Sequence, residues 1–174
     1  MRTSIETERL LLRELLPSDD LGMYELDSNP EVHRFLGNNP VKSIDESREY
    51  IAVVRRQYLE NGIGRWAVIL KETGEFIGWA GLKLESNVND HETFYDLGYR
   101  LIEKYWGKGY ATEASKAFVD FGFNEMKLEV INAYVMAAHQ GSRNTLEKAG
   151  LKFMEYFEYD GIQECWYELK NPNA

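Results

Sequence analysis

Residues 103–114 read E-K-Y-W-G-K-G-Y-A-T-E-A, two glycines set around one lysine. An alternating apolar stretch, 94–102, precedes them, and a stretch with helical spacing, 110–124, follows. Gly107 and Gly109 lose more conformational freedom on folding than other residues, so the chain places them where a side chain would obstruct something. Between a strand and a helix, that something is either a tight turn or an anion held by backbone N–H groups at the helix start.

Outward from this loop the chain divides into segments of clear period. Residues 8–13 are apolar between charges and predict a first strand. Pro17-Ser18-Asp19-Asp20 is a helix-start signal, with acids at the positive end of the dipole, and a short helix to about Asp27 follows, broken by Asn29-Pro30. Ser43-Ile44-Asp45-Glu46 fits a capping box. The helix it opens carries Ile51, Val54, Tyr58 and Leu59 at helical spacing and stops at Gly62. Residues 65–70 and 76–84 predict a hairpin across Lys71-Glu72-Thr73-Gly74-Glu75, and 86–91 a polar loop. After the 110–124 helix come a β-rich stretch over 128–136 and a helix over 139–149 stopped by Gly150. A last hairpin pairs 152–158 with 162–169 across Tyr159-Asp160-Gly161. This order predicts an α/β (α+β) fold, a single domain over 1–174, with about seven strands in a mixed sheet and about four helices on its faces. The 94–124 step is its parallel crossover, where open sheets offer a ligand crevice.

Bulk composition narrows the function. The chain has 174 residues, 44% hydrophobic and 28% charged, with 11 Tyr and 4 Trp, which suits one soluble domain with a substantial core. The net charge of −9 repels nucleic-acid phosphates and favours cationic partners. The single cysteine, Cys165, allows no internal disulfide, and no Cys/His cluster has zinc spacing, so no metal is expected. The N-terminus has no signal-peptide core and no apolar run reaches membrane-spanning length, which leaves the cytoplasm as the expected compartment and no membrane partner.

The loop fails two nucleotide-binding patterns. A P-loop needs a Lys-Ser/Thr pair after its second glycine, and a dinucleotide fingerprint needs a third glycine where Thr112 stands. Lys104-Tyr105-Trp106-Gly107-Lys108-Gly109 instead resembles the pyrophosphate loop of the GNAT N-acetyltransferases, [QR]-x-x-G-x-[GA], with Lys for the first residue. The resemblance runs along nearly the whole chain and is to the RimJ/RimL-type branch. It is carried by T-E-R-L-L-L-R-E (7–14), N-P-E-V-H-R-F-L (29–36), the central hairpin (64–82), D-L-G-Y-R-L-I-E-K-Y-W-G-K-G-Y-A-T-E-A (96–114) and S-R-N-T-L-E-K-A-G-L (142–151).

That resemblance implies a splayed central strand pair and transfer of an acetyl group from acetyl-CoA to a primary amine. The acceptor is a protein N-terminus, such as that of a ribosomal protein, or a small amine, and transfer is direct, in a ternary complex. It implies that amides from Trp106 through Gly107, Lys108, Gly109 and Tyr110 to Ala111 face the diphosphate, helped by the Lys108 charge and the Thr112 hydroxyl. It implies strand amides at Tyr99, Leu101 and Ile102 for the pantetheine arm, like a short added strand, with Gly98 where the strand bulges or a backbone comes close. Asp96 falls at the position of a general base, through a relaying water; as a bland alternative it faces solvent or pairs with Arg100. Glu129 and the tyrosines are further candidates. The position of the family's usual acid tyrosine carries Leu146. Ser142 is the polar residue offered to the leaving thiolate, or else it caps its helix. His139 stands where the branch usually has an Asn that contacts the cofactor. Cys165 is expected to be a small buried residue rather than a nucleophile. Trp66, Trp79, Phe35, Tyr24 and Tyr95 either line the acceptor site or pack the core. A non-catalytic acyl-CoA sensor, a nucleotide-binding protein, and a monomer or a homodimer remain as alternatives.

Overall fold

The computed structural model describes residues 2–174. Eight strands form one mixed sheet: β1 (Ser4–Glu6), β2 (Leu10–Glu14), β3 (Trp66–Leu70), β4 (Phe76–Val88), β5 (His91–Leu101), β6 (Val130–Met136), β7 (Lys152–Tyr159) and β8 (Ile162–Lys170). Their spatial order is β1-β2-β3-β4-β5-β6-β8-β7. The helices are α1 (Asp20–Asp27), α2 (Ile44–Asn61), α3 (Tyr110–Asn124) and α4 (Gln140–Lys148). All neighbouring strands are antiparallel except β5 and β6, which run parallel and share a single pair, Asp96 opposite Asn132. Beyond that pair the two strands diverge, giving the splayed centre.

The helices take opposite faces. Side chains alternate across a strand, so Trp79, Asp96, Gly98 and Arg100 share one face, and Leu97, Tyr99 and Leu101 the other. α1 docks on the first face, where the Arg100 guanidinium lies 2.7 Å from Asp27 Oδ1. α3 covers the second, packing Phe118 and Phe121 against Trp66 at 5.4 Å between ring centroids. α4 follows it there, with Leu146 in the core.

Four expectations change. The short strand β1 adds an eighth strand to the seven expected. Residues 86–91 are not a loop: β4 and β5 keep pairing to Val88 opposite His91. They turn on Asn89 and Asp90, both at positive φ (48° and 60°). This is a two-residue hairpin turn without the glycine that usually signals one, and buried Val88 packs with Phe94 and Trp166. The last hairpin uses the same device at Asp160 and Gly161 (φ 56° and 78°). The Ser43 hydroxyl makes no cap bond; the Glu46 carboxylate accepts from the Lys42 amide instead. Leu59 lies 88% exposed, while Ile51 and Val54 are buried, because the buried stripe of α2 follows i, i+3, i+7 and Leu59 falls beside it. Gly62 does end α2, at φ 74°.

Candidate active site

The anion-binding end of the site grows from the β5–α3 connection. After β5 the chain makes one 3-10 turn over Glu103–Tyr105, then passes Gly107 and Gly109, at φ 72° and 83°. L side chains avoid that left-handed region, which is why glycine stands at both places. A Cβ on Gly107 would meet nothing within 4 Å, so conformation rather than crowding demands it. Gly109 caps α3 without a side-chain bond. Among the described residues, the amides of residues 107–112 have no hydrogen-bond acceptor in the chain, and the first helical bond is Glu113 N–H to Gly109 O at 3.0 Å. Six free donors at the positive end of a helix dipole are a candidate anion cradle. The expected row started one residue too early: the Trp106 amide donates to Glu103 O at 3.0 Å.

Thr7 and Arg9 clamp this loop from across the sheet, which the sequence did not reveal. The Arg9 guanidinium meets the Glu113 carboxylate at 2.7 Å, donates to the Lys108 carbonyl at 2.9 Å, and lies over the Tyr110 ring. The Thr7 hydroxyl and the Arg9 amide also donate to Glu113. Burial works to raise the Glu113 pKa, and these bonds outweigh it, leaving it below the ordinary carboxylate value. The only signal in the sequence was the coexistence of T-E-R near the start and A-T-E-A in the first turn of α3.

The strand edge leads inward from the cradle. The Ile102 amide donates to Ile77 O at 2.9 Å, so it is committed to β4 and drops out of the expected amide row. By strand alternation the amides of Tyr99 and Leu101 turn the other way, into the gap between β5 and β6. Trp106, 45% exposed, donates its indole N–H to the Leu101 carbonyl at 2.8 Å.

At the gap, α4 presents its first turn. His139 is the N-cap: its Nδ1 accepts from the Ser142 amide at 3.0 Å. Imidazole nitrogen thus does what an asparagine oxygen does at such a cap. Burial lowers the His139 pKa; with Nδ1 accepting, the neutral ring carries its hydrogen on Nε2, available as a donor. Ser142 therefore does not cap the helix. It is buried, and its Oγ lies 2.7 Å from the Tyr99 hydroxyl, which also donates to the Ser142 carbonyl at 2.9 Å. Burial pushes the Tyr99 pKa up to about 12, so the phenol keeps its proton.

Asp96 closes the apex from the opposite face. It neither faces solvent nor pairs with Arg100. Its carboxylate meets Arg65, a residue the sequence did not single out. The Arg65 guanidinium also donates to the carbonyls of Gly81 (2.5 Å) and Asp96 (2.6 Å). A Cβ on Gly98 would stand 2.8 Å from Arg65 Nη2, so Gly98 is the space the guanidinium occupies. Burial raises the Asp96 pKa and Arg65 opposes the rise; Asp96 Oδ1 has no partner among the described residues. Of the aromatic candidates, Trp66 is core beneath α3, Trp79 lies about 5 Å from both the Arg65 and Arg100 guanidinium carbons, and Phe35 packs edge-on against His139 at 4.4 Å. Cys165 is fully buried on the α4 side, where burial raises its pKa.

The model of the acetyltransferase (GNAT) domain matches residues 9–152. An uncharacterized N-acetyltransferase p20 of Bacillus licheniformis is 33% identical over 132 residues, 76% of this chain and 72% of that protein. A GNAT-family acetyltransferase from Bacillus anthracis superposes with a TM-score of 0.81 at 26% identity, covering 97% of this chain and 98% of that one. RimL, a ribosomal L7/L12 alpha-N-protein acetyltransferase solved with coenzyme A, gives 0.81 at 16% identity over 96% of this chain and 97% of its own, a likeness of fold alone.

The loop clamp carries a pH signature. A depressed pKa means Glu113 contributes stability that is present above its unfolded pKa and lost as pH falls through its folded value. Glu113→Gln should therefore be less stable than the parent near about pH 7, with the difference shrinking towards about pH 3. Urea unfolding at several pH values measures it; a gap independent of pH would contradict the clamp.

Proposed function

Since the chain belongs to the GNAT acetyltransferase family, an N-acetyltransferase family that uses acetyl-CoA, we propose that it acetylates a primary amine by direct transfer in a ternary complex. The acceptor is a small amine or a protein N-terminus, as the likeness to the RimJ/RimL-type branch implies, and the reaction belongs to the cytoplasm. The observation that carries this reading is the run of six unpartnered amides over residues 107–112 at the mouth of α3.

Bound acetyl-CoA supplies the thioester carbonyl. The cradle from Gly107 to Thr112, with Lys108 and the nearby Arg9, neutralises a diphosphate. The inward amides of Tyr99 and Leu101 hold the pantetheine arm as an added strand, and His139 Nε2–H donates to it from α4. Asp96, through a water at Oδ1, takes a proton from the acceptor amine. Ser142 donates its hydroxyl hydrogen to the sulfur as the C–S bond breaks. The Ser142 hydroxyl, 2.7 Å from the Tyr99 oxygen, gives the site a polar partner for sulfur although buried Leu146 has none to offer.

Thiol release from acetyl-CoA with a panel of amines and N-terminal peptides tests the reading. Turnover with at least one amine is expected; tight coenzyme A binding without any turnover would favour a sensor. Gly109→Glu, which sets a carboxylate in the cradle and costs about 1–2 kcal/mol of left-handed strain, should weaken coenzyme A binding with the fold retained. Unchanged affinity by calorimetry would contradict the cradle. Ser142→Ala should lower kcat about tenfold to a hundredfold and leave the coenzyme A Kd nearly unchanged; equal turnover would remove the sulfur contact.

A further inference from the structure

Glu164 is a charged side chain with no evident use. It stands on β8, only 8% exposed, and its Oε2 has no hydrogen-bond partner among the described residues. No lysine or arginine of the described chain pairs with it; the ion pairs lie elsewhere. A buried carboxylate left this way is costly, and a glutamine or leucine would be cheaper to bury. Burial alone pushes its pKa up to about 7.

Its surroundings are aromatic. Phe157 on β7 is its register partner across the strand pair. The Tyr134 ring on β6 reaches across β8 to Phe157, with centroids 6.1 Å apart, and to Tyr159 at 5.7 Å. Trp166, two residues from Glu164 and so on the same face, stacks near Tyr134 at 6.4 Å. Rings around a carboxylate attract an ammonium group twice over, through their negative faces and through its charge. This face is also the one that carries Asp96, on the side of the sheet away from Ser142.

Register gives the spacing. Asp96 is level with Asn132 on β6, and Glu164 is level with Met136, four residues further on. Four residues of strand rise, with two strand spacings from β5 across β6 to β8, put the two carboxylates about 16 Å apart, too far for the nitrogen that reacts near Asp96. We propose that Glu164, among the rings of Tyr134, Phe157 and Tyr159, holds a second cationic group of the acceptor. The preferred substrate is then a primary amine with another ammonium about 16 Å away. The substrate class rests on the transferase reading above; the cation site itself does not.

The experiment uses the coenzyme A-loaded protein and two probes, 1,12-diaminododecane and dodecylamine, on the parent and on Glu164→Gln. Calorimetry reads binding, and thiol release from acetyl-CoA reads transfer. The parent should bind the diamine about tenfold more tightly than the monoamine. Glu164→Gln should erase that preference through the diamine KM, leaving dodecylamine kinetics and the coenzyme A Kd unchanged. The variant keeps shape and loses a buried charge, so its Tm should not fall, and Tyr134→Leu should weaken the diamine preference independently. A parent with no diamine preference, or a preference that survives Glu164→Gln, overturns the cation site. Transfer to the diamine that proceeds without any dependence on Glu164 overturns it while the transferase reading stands. Glu164-dependent diamine binding without transfer to either amine does the reverse.

Discussion

β5 and β6 touch at one point, Asp96 beside Asn132, and then part. The rest of the molecule is arranged around that divergence. A parallel pair that continued would satisfy its backbone groups internally and leave a plain sheet. Parting leaves inward amides on β5, at Tyr99 and Leu101, and opens a gap that both faces of the sheet can reach. The two connections that leave the parted strands start α3 and α4, so two positive helix ends stand at the rim.

The gap is kept open by polar clamps rather than by apolar packing alone. Arg65 crosses the sheet face over Gly98 and ties Asp96 and the Gly81 carbonyl together. A buried pair of this kind is weak evidence for stability but fixes geometry, because either charge alone would be heavily penalised. Arg9 and Thr7 do the same for the cradle by holding Glu113, the first residue of α3 with a helical bond. At the third corner the His139 ring holds the Ser142 amide. The first two clamps join residues distant in sequence and the third joins residues three apart.

The two faces then divide the chemistry. On the α3–α4 face lie the amide cradle, His139, Ser142 and Tyr99, all hydrogen-bond donors suited to an anionic cofactor and a developing thiolate. On the α1–α2 face lie Asp96, Asp27 and Glu164, acids suited to a cationic amine, in a protein whose net charge of −9 already favours such encounters. Asp27 is spoken for by Arg100, 2.7 Å away, and Asp96 by Arg65, which leaves Glu164 as the carboxylate of the three without a counterion.

Much was legible from sequence because it is local. The period of the strands and helices, the stop at Gly62, the left-handed glycines at 107 and 109 and the strand–loop–helix step all depend on a few neighbouring residues, and backbone sterics decide them. The turn at Asn89-Asp90 escaped because asparagine and aspartate tolerate positive φ without announcing it as glycine does. Tertiary structure alone decided what the polar side chains face. Arg65 on Asp96, Arg9 on Glu113, Tyr99 on Ser142, and Glu164 unpaired among aromatic rings are all choices between partners far apart in the chain. Charge and hydrogen bonding act through space, and one sequence lists the groups without saying which of them folding brings within reach.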